Sequence, residues 1–132
     1  LTSPEVTVSS SALEEDAARL GRLVGSFGSN VERLLRHYQE EIVDRQYQLA
    51  RVAHVATELY VSACVLSRLD HELRSPKFDA ATRNHNLKVG RYYLQTAARR
   101  MKRQMADMWD NDDEATTEVA HLHWKPRPEA IE

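Results

Sequence analysis

The chain has 132 residues, 42% hydrophobic and 29% charged, with four Gly, four Pro and a net charge of −2. That balance is that of one ordinary globular domain rather than a disordered chain. The small net charge gives no long-range field to draw nucleic acid or an anionic membrane surface. A single cysteine, Cys64, excludes an internal disulfide. An intracellular, cytoplasmic setting is the simpler expectation. Between Ala63 and Val65, the thiol is expected to be buried as a small hydrophobe. No apolar run reaches the about 20 residues needed to span a bilayer, and no signal peptide opens the chain, so membrane insertion is not expected. The opening Leu1-Thr2-Ser3-Pro4, without Met, is that expected of a piece of a longer protein.

Residues 1 to 10, rich in Ser and Thr and carrying Pro4, read as a linker without structure of its own. Ser10 or Ser11 is placed to cap a first helix, with Glu14 three residues past Ser11 in the capping-box position. That helix, residues 11 to 40, carries Leu13, Ala17, Leu20, Val24, Phe27, Val31, Leu34 and Tyr38. Their alternating spacings of four and three make a heptad seam. Gly21, Gly25 and Gly28 oppose the seam and predict either a kink or the close approach of a neighbouring helix.

The seam changes phase around Ile42 to Arg45, which predicts a bend. Beyond it, residues 41 to 73 carry apolar residues on more than one side. One stripe is Leu49, Val52, Ala56, Leu59, Ala63 and Leu66; Val55, Leu69 and Leu73 widen it, with Ala53, Tyr60 and Val65 beside them. A helix this apolar is expected at the centre of a bundle, ending near Ser75 because Pro76 disfavours helical geometry before it. Asp79 is a cap for a third helix, 79 to 108, whose stripe is Leu87, Leu94, Ala97 or Ala98, Met101, Met105 and Met108, with Tyr93 and Trp109 alongside. Gly90, among bulky residues, predicts a close helix contact. The corner Asp110-Asn111-Asp112-Asp113 ends that helix and supplies acids to the start of a short fourth, 112 to 123. Only Ala115, Val119, Ala120 and Leu122 give the fourth helix apolar contacts. Pro126 and Pro128 end regular structure, and residues 124 to 132 read as a flexible tail. The fold expected is all-α, an up-down bundle of three long helices and one short one spanning residues 11 to 123.

Catalytic chemistry is hard to assemble from these residues. Glu118 and His121 have the Glu-x-x-His spacing of di-iron bundles, but such a site needs a second pair and two further glutamates. His37, His54, His71, His85 and His123 have no Glu three positions earlier, so no metal site is expected. His54 and Glu58 lie one turn apart and suit a solvated ion pair. Arg99, Arg100, Lys102 and Arg103 form the one dense basic cluster, read as a solvated face, with an anion or membrane-surface contact as the alternative. Without interleaved aromatics that cluster does not suggest nucleic acid. Ser62, Ser67 and Cys64 have no adjacent His and acid to activate them. No catalytic, cofactor-binding or metal-binding residue is assigned.

One run of residues is more specific. Ile42-Val43-Asp44-Arg45-Gln46, Leu49-Ala50-Arg51-Val52-Ala53, Leu59-Tyr60 and Val65-Leu66-Ser67-Arg68 occur in one register. Together with the preceding Val31-Glu32-x-Leu34-Leu35 they resemble the C-terminal helical extension of very-long-chain acyl-CoA dehydrogenases, a mitochondrial group with bacterial relatives. The resemblance covers residues 11 to 109, most closely 42 to 68. His54 stands where an Asp is common in that group.

The resemblance implies a parent enzyme that holds FAD and introduces a trans-2,3 double bond into acyl-CoA. A glutamate there abstracts the α-proton and flavin N5 takes the β-hydride. The Phe-Glu-Gly-Thr-like loop and the Gln-x-x-Gly-Gly flavin contact of that enzyme have no match in this sequence. The segment is then expected to be a non-catalytic bundle with no cofactor of its own. Its implied partners are the dehydrogenase core of the same chain and the dimer mate. Residues 1 to 10 lack the apolar, basic segment that precedes the bundle in the mitochondrial relatives. A different reading makes the chain a stand-alone interaction or oligomerisation module whose first-helix seam pairs with another chain.

Overall fold

The computed structural model describes residues 2–124. A 3-10 turn, Ser11–Leu13, leads into helix α1, Glu14–Tyr38; a second, Gln39–Asp44, leads into α2, Gln46–Arg74. Helix α3 spans Ala80–Asp107 and α4 spans Asp113–His123. There is no strand among the described residues. The fold is the expected all-α bundle, with α1, α2 and α3 in mutual contact.

Helix α1 is continuous through its glycines, because the seam on its other side is spent in the core. Leu13, Ala17, Leu20 and Leu34 are buried, and Val24, Phe27 and Tyr38 pack against that core. The stand-alone reading thus loses the apolar stripe it assigned to another chain. Gly21 and Gly25 do serve a close approach, but not by a helix, while Gly28 faces open space. A Cβ on Gly21 would lie 2.5 Å from the Pro4 carbonyl oxygen, and one on Gly25 would collide with Ser3. Residues 2 to 10 therefore lie along α1 and do not act as a free linker. They carry no helix or strand, but Val6 and Val8 are half-buried against the core. The backbone N–H groups of Ser9 and Ser10 donate to the two carboxylate oxygens of Asp70, at 3.1 and 2.8 Å. This also explains why no serine side chain caps α1. The chain arrives tethered by its amides instead.

The bend, expected around Ile42 to Arg45, begins earlier, at Gln39, which has φ 50°. Left-handed backbone at a residue with a Cβ is strained. It turns the chain sharply into the 3-10 segment, where the apolar phase changes. Helix α2 then begins with Gln48 buried, its Nε2 donating to the Met108 carbonyl at 2.8 Å. Helix α3 begins with the expected cap: Thr82 N–H donates to the Asp79 carboxylate at 2.7 Å. Leu94, Ala97, Ala98, Met101, Met105 and Met108 are buried as anticipated, with both alanines inside. Gly90 meets Leu69 of α2, whose Cδ1 is 2.6 Å from where a Cβ would stand. The core is filled at that crossing.

Helix α4 differs from the rest. None of its residues is buried, and Val119, Leu122 and the following Trp124 are largely exposed. The expected flexible tail, beyond Trp124, lies outside the described residues.

Candidate functional site

The features of interest are surfaces, and the first is on α2. Its buried seam runs through Val52, Val55, Leu59, Ser62, Leu66, Leu69 and Leu73, spaced three, four, three, four, three and four. The stripe predicted from sequence straddled this seam and a second one. Leu49, Ala53, Ala56, Tyr60, Ala63 and Ser67, spaced four, three, four, three and four, are all exposed, Tyr60 at 73%. Ala56 and Ala63 were assigned to the core, and the structure puts them outside. The cause is geometric. A helix of 3.6 residues per turn places rows 52/59/66 and 49/56/63 on adjacent strips, and only one of them meets α1 and α3. Cys64, expected inside, is exposed on this outer side. An 18-residue window of α2 has mean hydropathy 1.3, yet 22% of it is buried. By length and composition alone α2 is thus apolar enough to cross a membrane, contrary to the sequence expectation. Small residues around one aromatic allow another helix to approach closely.

Beside this face, α2 and α3 are joined by a polar cluster. Glu58 accepts from Arg100 Nε at 2.6 Å and Nη2 at 3.1 Å, and from the Tyr93 hydroxyl at 3.0 Å. His54 Nε2 is 3.9 Å from the same carboxylate. The Arg100 guanidinium, then the Tyr93 hydroxyl, hold Glu58 below its ordinary carboxylate range against its partial desolvation. Burial, then Glu58, pushes the Tyr93 phenol up. The cluster borders an open groove of about 520 Å³ floored by Ala50, Ala53, Thr57 and Val61. The Glu58 carboxylate is thus engaged by Arg100 and Tyr93, and the cluster joins the two helices. Sequence spacing showed His54 and Glu58 as neighbours. It did not show Arg100, 42 residues away.

A second groove, of about 1280 Å³, opens where α4 stands off the turn between α1 and α2. Its walls carry Asp44, Asp112, Asp113, Glu114 and Glu118. Arg51 clamps the start of α4, with two 2.7 Å bonds from its guanidinium to the Asp113 carboxylate. Glu118 and His121 line this groove on α4, without a second Glu-x-x-His pair. Among the described residues there is no group of three or more His, Cys, Asp or Glu placed to hold a metal. Of the basic cluster, Arg100 is engaged by Glu58, while Arg99, Lys102 and Arg103 are exposed. Ser62 is buried in the α2 seam and Ser67 is exposed.

The decisive comparison spans nearly the whole bundle. Residues 11–122 match the family model described as ACAD9/ACADV, C-terminal domain. This chain belongs to that family. It is a helical C-terminal domain of the very-long-chain type of acyl-CoA dehydrogenase. No solved structure matches it. The match extends past the register read from sequence, through α4. Flavin adenine dinucleotide, which the family implies, does not fit the described residues of this ACAD9/ACADV domain. A dinucleotide diphosphate needs free N–H donors or cations. The smaller groove's one guanidinium, Arg100, is already bonded to Glu58, and in the larger Arg45, itself paired with Glu41, stands among five carboxylates.

Proposed function

We propose that this domain is the non-catalytic C-terminal bundle of an FAD-dependent enzyme that oxidises acyl-CoA to trans-2-enoyl-CoA inside the cell. In this reading its work is done by the outer face of α2, which docks on the dehydrogenase core of the same chain. The observation that carries it is the second seam, Leu49 to Ser67. Exposed apolar area of this regularity is stabilised when another helix covers it, at roughly 25 cal/mol per Å² removed from water. Belonging to a family of C-terminal domains supplies the covalently attached partner.

The test is made on the full-length flavoprotein. Ala56→Glu with Ala63→Glu places two charges on the outer face, where neither disturbs the bundle's own core. The expected result is an intact helical bundle that has let go of the core: amide exchange along α2 speeds up and a protease severs the domain readily. Unchanged protection of α2 overturns the assignment of this face. Absence of flavin from the full-length protein overturns the parent activity.

A further inference from the structure

The N-terminal segment is fastened more thoroughly than a plain connection requires. From Val6 to Ser10 half-buried and exposed residues alternate, with Val6, Val8 and Ser10 turned inward, the period of an extended chain lying on a surface. All three long helices hold it or the turn that follows it. On α1 the Pro4 carbonyl lies over Gly21 and Ser3 lies over Gly25, where any side chain would collide with the segment. Glycine weakens a helix interior relative to alanine, and the seated backbone is what these two positions accommodate. On α2 the Asp70 carboxylate, itself 9% exposed, takes the amides of both Ser9 and Ser10 and has Arg74 Nη2 at 3.7 Å. On α3 Arg91 donates to the Ala12 carbonyl and, at 3.1 Å, to Asp16. With Pro4 at Gly21 and Ser3 at Gly25, the segment runs antiparallel to α1. The chain thus reaches the bundle beside Gly25, about 16 Å along α1 from Glu14 at 1.5 Å per residue, and not at the helix start.

We propose that residues 2–10 are a positioning strap, which fixes where and in which direction the preceding domain joins the bundle. The inference rests on the reading of this chain as a C-terminal domain, which places the rest of the parent ahead of the strap. The strap itself precedes residues 11–122, the part that matches the family. Its effect comes from chain statistics. Nine free residues would let the entry point wander over roughly 5–6 Å times the square root of their number, about 15–18 Å. Seated on Gly21, Gly25 and Asp70, the same residues deliver the chain to one place on the side of α1. A fixed entry point confines the bundle to few orientations on its neighbour. It thereby raises the effective concentration of any docking face at its target. The strap is a positioning element and touches no reacting group.

The experiment uses the full-length protein carrying Ala56→Glu and Ala63→Glu, so that the outer face of α2 contributes no restraint. Nitroxides are attached through p-acetylphenylalanine in place of Tyr92, 70% exposed on α3, and at one surface position of the preceding domain. Pulsed electron resonance then reads the distribution of distances between them. One narrow distribution is expected while the strap is seated. Gly21→Val with Gly25→Val puts side chains in the strap's path without touching the core seam, so the helical circular dichroism should persist. Those changes should speed amide exchange in residues 2 to 10 and widen the distance distribution about twofold. Asp70→Asn, on a different helix, should shift both readouts in the same direction. A distribution equally wide with the strap seated or released overturns the proposal, as does one that stays narrow after release. Amide exchange unchanged in both variants overturns the seating itself. Since the α2 face is disabled throughout, these outcomes are separate from any failure of α2 to dock, and absence of flavin from the full-length protein bears on the parent activity alone.

Discussion

Gln39 holds the left-handed backbone, φ 50°, that lets α1 turn into the 3-10 segment. Glycine has no Cβ to strain there, so Gln39→Gly should raise stability by about 1 kcal/mol, read as a higher denaturant midpoint at unchanged slope. Gly90 is the opposite case. Any side chain there meets Leu69, and Gly90→Val should cost roughly 1–3 kcal/mol by overpacking. Asp70 fastens the N-terminal segment through two backbone amides, which hold its carboxyl below the ordinary 3.8. A lowered folded-state pKa means the tether contributes fully above that value and is lost as pH falls through the folded one. Glu58, lowered first by Arg100, and Glu72, lowered first by Arg68, add stability with the same sign. Acid should therefore release residues 2 to 10, seen as faster amide exchange there below about pH 4. Asp70→Asn should remove that dependence and loosen the segment at neutral pH.

At the scale of elements, α2 is the helix whose placement everything else depends on. Leu59 is 9% exposed in the inner seam. Leu59→Asp forfeits about 1.5–3 kcal/mol of apolar burial and adds an unpaired buried charge, so the domain should lose its cooperative thermal transition. Tyr60, one residue on and facing outward, should tolerate the same change within about 0.5 kcal/mol in the isolated fold. The contrast between the two neighbours reports the rotation of α2 directly. Helix α4 is held by its start, where Asp113 draws the Arg51 guanidinium above its ordinary range. Arg51→Ala should leave the three long helices intact while α4 loses helicity, because the clamp supplies a charge-assisted pair of bonds worth about 1.5–3 kcal/mol.

Taken whole, the molecule is a three-helix core with its N-terminal segment laid along α1 and α4 standing out at one end. One of its surfaces is incomplete for a physical reason: the second apolar seam on α2 lies uncovered, and the dehydrogenase core of the parent chain is the partner proposed for it.

The sequence by itself determined the elements and their class. Heptad spacing, Pro76, the Asp79 cap and the acidic corner at 110–113 are local signals, and helices obey local rules. Gly90 was legible for the same reason, since a glycine among bulky residues has few other uses. The family was legible as well, from the order of residues 42 to 68. Only the tertiary structure decided which strip of α2 faces inward, because two largely apolar seams run one residue out of phase and the predicted stripe took residues from both. It alone brought Arg100 to Glu58, Asp113 to Arg51 and the Ser9 and Ser10 amides to Asp70, contacts spanning 42, 62 and about 60 residues. Partners that far apart leave no periodic trace in a sequence, because packing, not spacing, sets their distance.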